Sequence, residues 1–208
     1  FISFFAALHF TTISKTTLLG AMAPLFAAII EKVFLKRSWN IGMAIGLVLA
    51  LIGAALLQVG NLSGGGDDLV GVILALFAGL FLALLMIFAE KVRKDSDLFI
   101  FTRSLYGWAA IILLGLGTSL DRNLFRFESS DYLWLILLGL IPTVLGHTLL
   151  YYSVRYVRPT IVSAVPLGEP VLATIMALIL FAEAIPMMTL IGGGVTLGGL
   201  YILVTKHQ

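Results

Sequence analysis

The residues able to do chemistry in this chain are few, and they stand in apolar surroundings. Glu169 lies in SAVPLGEPVLA, between Pro166 and Pro170, near the centre of an apolar segment running from about 160 to 182. That length crosses a bilayer, and an ionisable residue at mid-depth costs at least about 2.5 kcal/mol even on the gentler insertion scales. A function must justify it. Each proline also lacks the N–H that would bond four residues back, which leaves the carbonyls of Val162 and Pro166 without their usual partners. A broken helix around a buried acid predicts a polar site inside a membrane protein. Pro166, Gly168 and Pro170 are its candidate hinge.

A second set lies one segment earlier. Thr143, His147 and Tyr151 follow at i, i+4 and i+8, so one helical face is polar amid Leu and Ile, and such a face turns away from lipid. His147 and Glu169 are expected on consecutive helices at comparable depth, where an imidazole near a carboxylate orients a polar substrate or passes a proton. Glu169 itself is a candidate to exchange a proton with substrate passage. Tyr106, Trp108, Phe77 and Phe81 lie inside other apolar segments, where aromatics either stack on a solute or pack between helices. His9, His147 and His207 are too scattered to share a metal, and no cysteine is present, so neither a metal nor a cofactor is expected. P-loop, HExxH, GxSxG and dinucleotide fingerprints are absent, so no enzyme is expected.

The segments that must position these residues dominate the composition. Of 208 residues, 60% are hydrophobic and 12% charged, and the mean hydropathy is +1.09. Soluble domains carry about 25% charged residues, so this is an integral membrane protein with the lipid bilayer as its first partner. The net charge of +2 and the lack of a basic patch give no reason to expect nucleic acid. Charge and turn clusters cut the chain into a helix tail at about 1–12 and spans near 16–36, 40–60, 69–90, 98–119, 132–154, 160–182 and 186–205. Apolar residues surround each segment without strand-like alternation, which predicts helices. NLSGGGDD (61–68) reads as a linker.

Lysines and arginines then alternate between sides. Lys32, Lys36, Arg37, Lys91, Arg93, Lys94, Arg103, Arg155, Arg158 and Lys206 fall on one, against Lys15, Arg122 and Arg126 on the other. The first side is therefore read as cytoplasmic, with the C-terminus inside. Arg155 and Arg158 are read as topology-setting charges, Trp134 and Tyr132 as belt aromatics, and Gly42 with Gly46, and Gly194 with Gly198, as small-residue helix contacts.

Sliding the chain on itself by 146 positions (170 − 24) superposes Pro24 on Pro170, Ala27 on Ala173, Gly46 on Gly192, Gly53 on Gly199 and Leu57 on Leu203. The shift passes five spans, and an odd number inverts orientation, so the expectation is two inverted five-helix repeats with Pro24 as the counterpart hinge. On that reading residues 1–61 are the end of a first repeat, 62–68 the linker and 69–208 the second repeat. The first repeat would begin roughly 78 residues before Phe1. Two helices and most of a third are then expected upstream, and the 208 residues alone are not expected to transport.

AALHFTTISKTTLLGAMAPLFAAIIEKVFLKRSWNIGMAIGLVLALIGAALL, followed by LLYYSVRYVRPTIVSAVPLGEPVLATIMALILFAEAIPMMTLIGGGVTLGGLYIL, resembles the paired EamA-type repeats of the drug/metabolite transporter superfamily. The second-half match is carried by Glu169-Pro170, Glu183, Gly192 and Gly199. In the first half, Lys36-Arg37 replace the usual acid, and Glu31 lies earlier. The resemblance implies an all-α polytopic transmembrane bundle of ten helices, both ends cytoplasmic, with a central cavity. It implies a secondary carrier that exports or exchanges small organic, amino-acid-like or amphipathic solutes by alternating access. The expected location is the plasma (bacterial inner) membrane, and a homodimer is a candidate assembly. Glu169, His147, Tyr151, Thr143 and Trp108 are the expected substrate contacts. A sugar-phosphate or nucleotide-sugar exchanger would need basic residues deep in the cavity, and here they cluster at helix ends. An intramembrane enzyme would need a second reactive group beside Glu169. A noncatalytic scaffold would leave the buried acid unexplained.

Overall fold

Long apolar runs closed by polar turns form helices here, because within lipid a helix satisfies its own backbone. The computed structural model describes residues 2–58, 69–120, 128–182 and 185–206. The expected linker at 62–68 lies outside the described residues, as do Asp121, Arg122, Arg126, Glu183 and His207. The described chain is all helical, and seven stretches are long and apolar enough to cross a membrane: Ile13–Val33, Ile41–Gln58, Leu69–Asp95, Leu98–Ser119, Ser129–Ser153, Pro159–Phe181 and Met187–Thr205. They fall where the composition placed them, and the protein is a multi-pass membrane protein.

The chain packs as two units. The first joins Phe1–Ile87 to Arg158–Gln208, and the second is Phe88–Val157. In the first, α1 (Ile2–Ala7) precedes α2 (Ile13–Gly20) and α3 (Ala23–Val33), which together make one interrupted span; α4 (Ile41–Gln58) follows. Thr12 caps α2 by accepting the Lys15 N–H at 3.3 Å. The start of α5 (Leu69–Asp95) also belongs to this unit, as do α9 (Pro159–Ala164), a 3₁₀ turn (Val165–Gly168), α10 (Glu169–Phe181) and α11 (Met187–Thr205).

Close packing in the first unit is built on glycine. A Cβ added to Gly46 would stand 2.5 Å from the Leu203 nitrogen, and one added to Gly192 would stand 3.0 Å from the Gly53 carbonyl oxygen. Cβ atoms on Gly53 and Gly199 would strike the backbone of Thr196 and Ala50. Successive contacts climb α4 while they descend α11, so the two helices are antiparallel with their backbones in direct contact. Gly194 and Gly198, expected at a helix contact, face open space instead, and Gly42 meets the Lys206 side chain. The reason is rotational: about 100° per residue puts Gly192 and Gly199 on one face of α11 and turns Gly194 and Gly198 off it.

Element boundaries recur at the offset read from the sequence. α2 starts at Ile13 and α9 at Pro159, α3 at Ala23 and α10 at Glu169, α4 at Ile41 and α11 at Met187, each 146 apart (159 − 13). Among the described residues, the non-glycine residues with positive φ are Lys36 (φ 51°) and Ala182 (φ 54°), which obey the same offset.

In the second unit, the end of α5 leads to α6 (Leu98–Ser119), started by Asp97, whose carboxylate accepts the Phe99 N–H at 2.8 Å. α7 (Ser129–Leu138), a π-helical segment (Gly139–His147) and α8 (Thr148–Ser153) then make one span. Arg93 is buried and donates to the carbonyls of Tyr151, at 3.3 Å, and Ser96, which ties α5 to α8.

Candidate functional site

Each unit carries its own polar cluster. Glu169 belongs to the first; His147, Tyr151, Thr143 and Trp108 belong to the second.

Around Glu169 the span divides into α9, the 3₁₀ turn and α10. Pro166 opens the turn, and Pro170 sits in the first turn of α10, where a missing N–H costs no intrahelical bond. The two carbonyls expected to be unpaired are not. The Val162 carbonyl accepts the Val165 N–H and the Pro166 carbonyl accepts the Glu169 N–H, because tightening to 3₁₀ geometry brings donors three residues on within reach. Glu169 is the first residue of α10, where the helix dipole favours a carboxylate, and its side chain is exposed. That corrects the expectation of a buried acid. Pro24 occupies the corresponding place in the first turn of α3, after the break at Ala21–Met22, and is buried.

The buried acid is Glu31, at 0% exposure. It lies in the last turn of α3, and its Oε1 accepts the backbone N–H of Thr160 at 3.1 Å, in the first turn of α9. Arg37 Nη1 stands 3.8 Å from the same oxygen. Arg158, just before α9, donates from Nη1 to the Ser38 carbonyl at 2.8 Å. The end of one interrupted span thus meets the beginning of the other. Sequence reading passed Glu31 over. Its signal was an acid eight residues after Ala23 (31 − 23), at the end of an apolar run, but no local pattern names a partner so far along the chain.

In the second unit, Pro142 interrupts the span. It has no N–H for the Leu138 carbonyl, and the Thr143 hydroxyl donates there instead, at 3.3 Å. Five residues after Pro142, His147 Nδ1 lies 2.9 Å from the Pro142 carbonyl oxygen. A carbonyl only accepts, so Nδ1 carries the hydrogen and Nε2 is the acceptor nitrogen of the neutral ring. The π segment therefore binds the side chains expected to face a substrate into its own repair. Pro142 was missed as an interrupting residue, and the donors Thr143 and His147, one and five positions later, were its readable signal.

Tyr106 joins the cluster from α6. Its hydroxyl donates to the Thr143 carbonyl at 3.1 Å and lies 3.2 Å from Thr148 Oγ1. The ring of Tyr151, 2% exposed, lies 5.4 Å from Phe101, 6.4 Å from Tyr106 and 6.5 Å from His147. Thr143, His147 and Tyr151 are thus brought together. Trp108 is not: two positions beyond Tyr106 and about 200° around the helix, it is 67% exposed and lines an open groove of about 310 Å³ with Val92, Ser96, Phe101 and Ser104. Among the described residues, no group of three or more His, Asp or Glu converges as a metal site.

Seven apolar spans among the described residues, three of them interrupted, with polar clusters inside apolar helices, define a polytopic membrane protein. The chain belongs to the EamA-like transporter family, whose profile matches residues 1–59 and 69–205. It is 28% identical over 203 residues to an uncharacterized transporter of Archaeoglobus fulgidus, covering 96% of this chain and 70% of that protein. It is 26% identical over 197 residues to the uncharacterized transporter YdfC of Bacillus subtilis, covering 91% of this chain and 63% of that one. The chain thus spans about two thirds of the length of these relatives. A solved crystal structure shares the fold, with a TM-score of 0.79 at 16% identity over 98% of this chain and 71% of the other. The protein is a membrane transporter.

Proposed function

We propose that the protein is a secondary carrier of small organic metabolites, amino-acid-like or amphipathic, that works by alternating access between two inverted repeats. One observation carries this reading: the last turn of α3 meets the first turn of α9, so two interrupted spans related by the 146-residue offset cross the membrane in opposite senses. Residues 1–61 belong to the first repeat and 69–208 to the second. Glu169 offers its carboxylate to substrate from the start of a half-helix, with the 3₁₀ turn Val165–Gly168 as the hinge that re-aims it. Within the second unit taken by itself, Thr143 holds the π segment that ends at His147, and the His147 imidazole, 6.5 Å from the Tyr151 ring in α8, is a separate proposed substrate contact. A proton is the proposed coupling ion, taken up at Glu169. The protein sits in the plasma membrane with its C-terminus, next to Lys206, in the cytoplasm. The clustering of lysines and arginines at helix ends speaks against phosphorylated cargo.

The test is solute uptake by the full-length protein in proteoliposomes against a metabolite panel, with and without a pH gradient. Transport of at least one organic solute, with pH dependence lost in Glu169→Gln, is the expected result. No flux for any panel member, or unchanged pH dependence in that variant, overturns the reading.

A further inference from the structure

We propose that Glu31 is a gating residue: its bond to the start of α9 closes one end of the solute path, and breaking it opens that end. The proposal rests on the carrier reading above. Two ties join the same two chain segments, Glu31 Oε1 to the Thr160 N–H and Arg158 to the Ser38 carbonyl. Both lie at the end where Lys32, Lys36, Arg37 and Arg158 gather. Beyond the ties, each span is interrupted, at Ala21–Met22 about two to three turns from Glu31 and at Val165–Gly168 five residues from Thr160 (165 − 160), so either end can swing as a short helix.

What separates a latch from a permanent staple is incomplete satisfaction. Glu31 Oε2 and Thr160 Oγ1 are both fully buried and have no hydrogen-bond partner among the described residues. A static buried carboxylate is normally satisfied at both oxygens. Water entering an opened end would hydrate both atoms, offsetting the loss of the Thr160 bond. The charged groups facing Glu31 are Arg37 from the segment after α3 and Arg158 from the residue before α9; α9 itself contributes none. Closed and open states are thereby kept close in free energy, as a gate requires.

These 208 residues hold no cysteine, so once any cysteine elsewhere in the full-length protein is replaced by serine, Ser163→Cys, buried one turn beyond Thr160, reads the gate directly. The experiment uses the full-length protein in vesicles and a membrane-impermeant maleimide offered from either face. With Glu31→Leu, labelling from the lysine- and arginine-rich face is expected to rise about tenfold, and with Glu31→Gln, which keeps an acceptor oxygen, about threefold. Lys32→Gln, an exposed neighbour, leaves the rate unchanged. A rate for Glu31→Leu within about twofold of the parent at equal melting temperature overturns the proposal, as does an equal rise from both faces, which reports general loosening. Should Glu31→Leu fail to fold, Glu31→Gln and Arg158→Gln decide by the same one-sided criterion. One-sided labelling in a protein that moves no solute sinks the carrier reading and keeps the latch; solute flux with unchanged labelling sinks the latch alone.

Discussion

Glu31 and Thr160 are hydrogen-bonded at 3.1 Å across 129 positions of sequence, and the carboxylate involved is closed off from solvent. Removing it leaves a buried N–H at the start of α9 without an acceptor. Glu31→Ala is expected to cost about 2–3 kcal/mol, the range for losing a hydrogen bond to a charged group. Glu31→Gln should cost less than half of that. Thermal unfolding in detergent measures both, and equal losses for the two variants would contradict the assignment of the bond.

Gly53 and Gly199 lie where α4 and α11 touch backbone to backbone, whereas Gly194 and Gly198 face open space. Ala at either of the first two positions is expected to destabilise by about 1–3 kcal/mol through overpacking. Ala at Gly194 or Gly198 should stay within about 0.5 kcal/mol of the parent or improve on it, since alanine suits a helix better. The four melting temperatures, measured side by side, check the packing face of α11.

Pro142 holds the π segment open, with Thr143 and His147 bonded to the carbonyls around it. Pro142→Ala restores the N–H and lets the segment relax toward α-helix, which re-aims His147. The expected outcome is a melting temperature equal to or above the parent's, with solute flux reduced about tenfold, an effect of roughly 1.4 kcal/mol on transport. Flux and stability falling together would mean that the proline is merely structural.

Ala182 closes α10 in the left-handed region at φ 54°. Glycine adopts that conformation freely, whereas a Cβ costs about 1–2 kcal/mol there. Ala182→Gly is therefore expected to stabilise by up to about 1 kcal/mol once the entropy of glycine is deducted, and thermal unfolding reads it.

Glu169 begins a helix at an exposed position, where Glu169→Gln forfeits a favourable placement at the helix start of about 0.3–1 kcal/mol. Near-parental stability with pH-independent transport is the outcome that separates a functional carboxylate from a structural one.

Membrane class, span number, helical character and the offset between related segments were legible in the chain because each is a sum over many residues. Twenty apolar positions outvote any local exception, and two prolines and two glycine pairs in register mark related spans. Those spans do meet in the fold, through Gly46, Gly53, Gly192 and Gly199. Which acid is buried was not legible. Glu169 looked buried because it sits mid-segment, and Glu31 looked incidental because it lies earlier than the acid that Lys36-Arg37 replace; the reversal comes from α9 placing its first turn against α3. The same holds for the carbonyls of Val162 and Pro166, satisfied by a 3₁₀ tightening, and for Trp108, turned off the Tyr106 face by helical rotation. Composition determines what a segment must do in lipid; the partner of a single polar atom depends on which distant backbone stands within about 3 Å of it, and only the packed chain decides that.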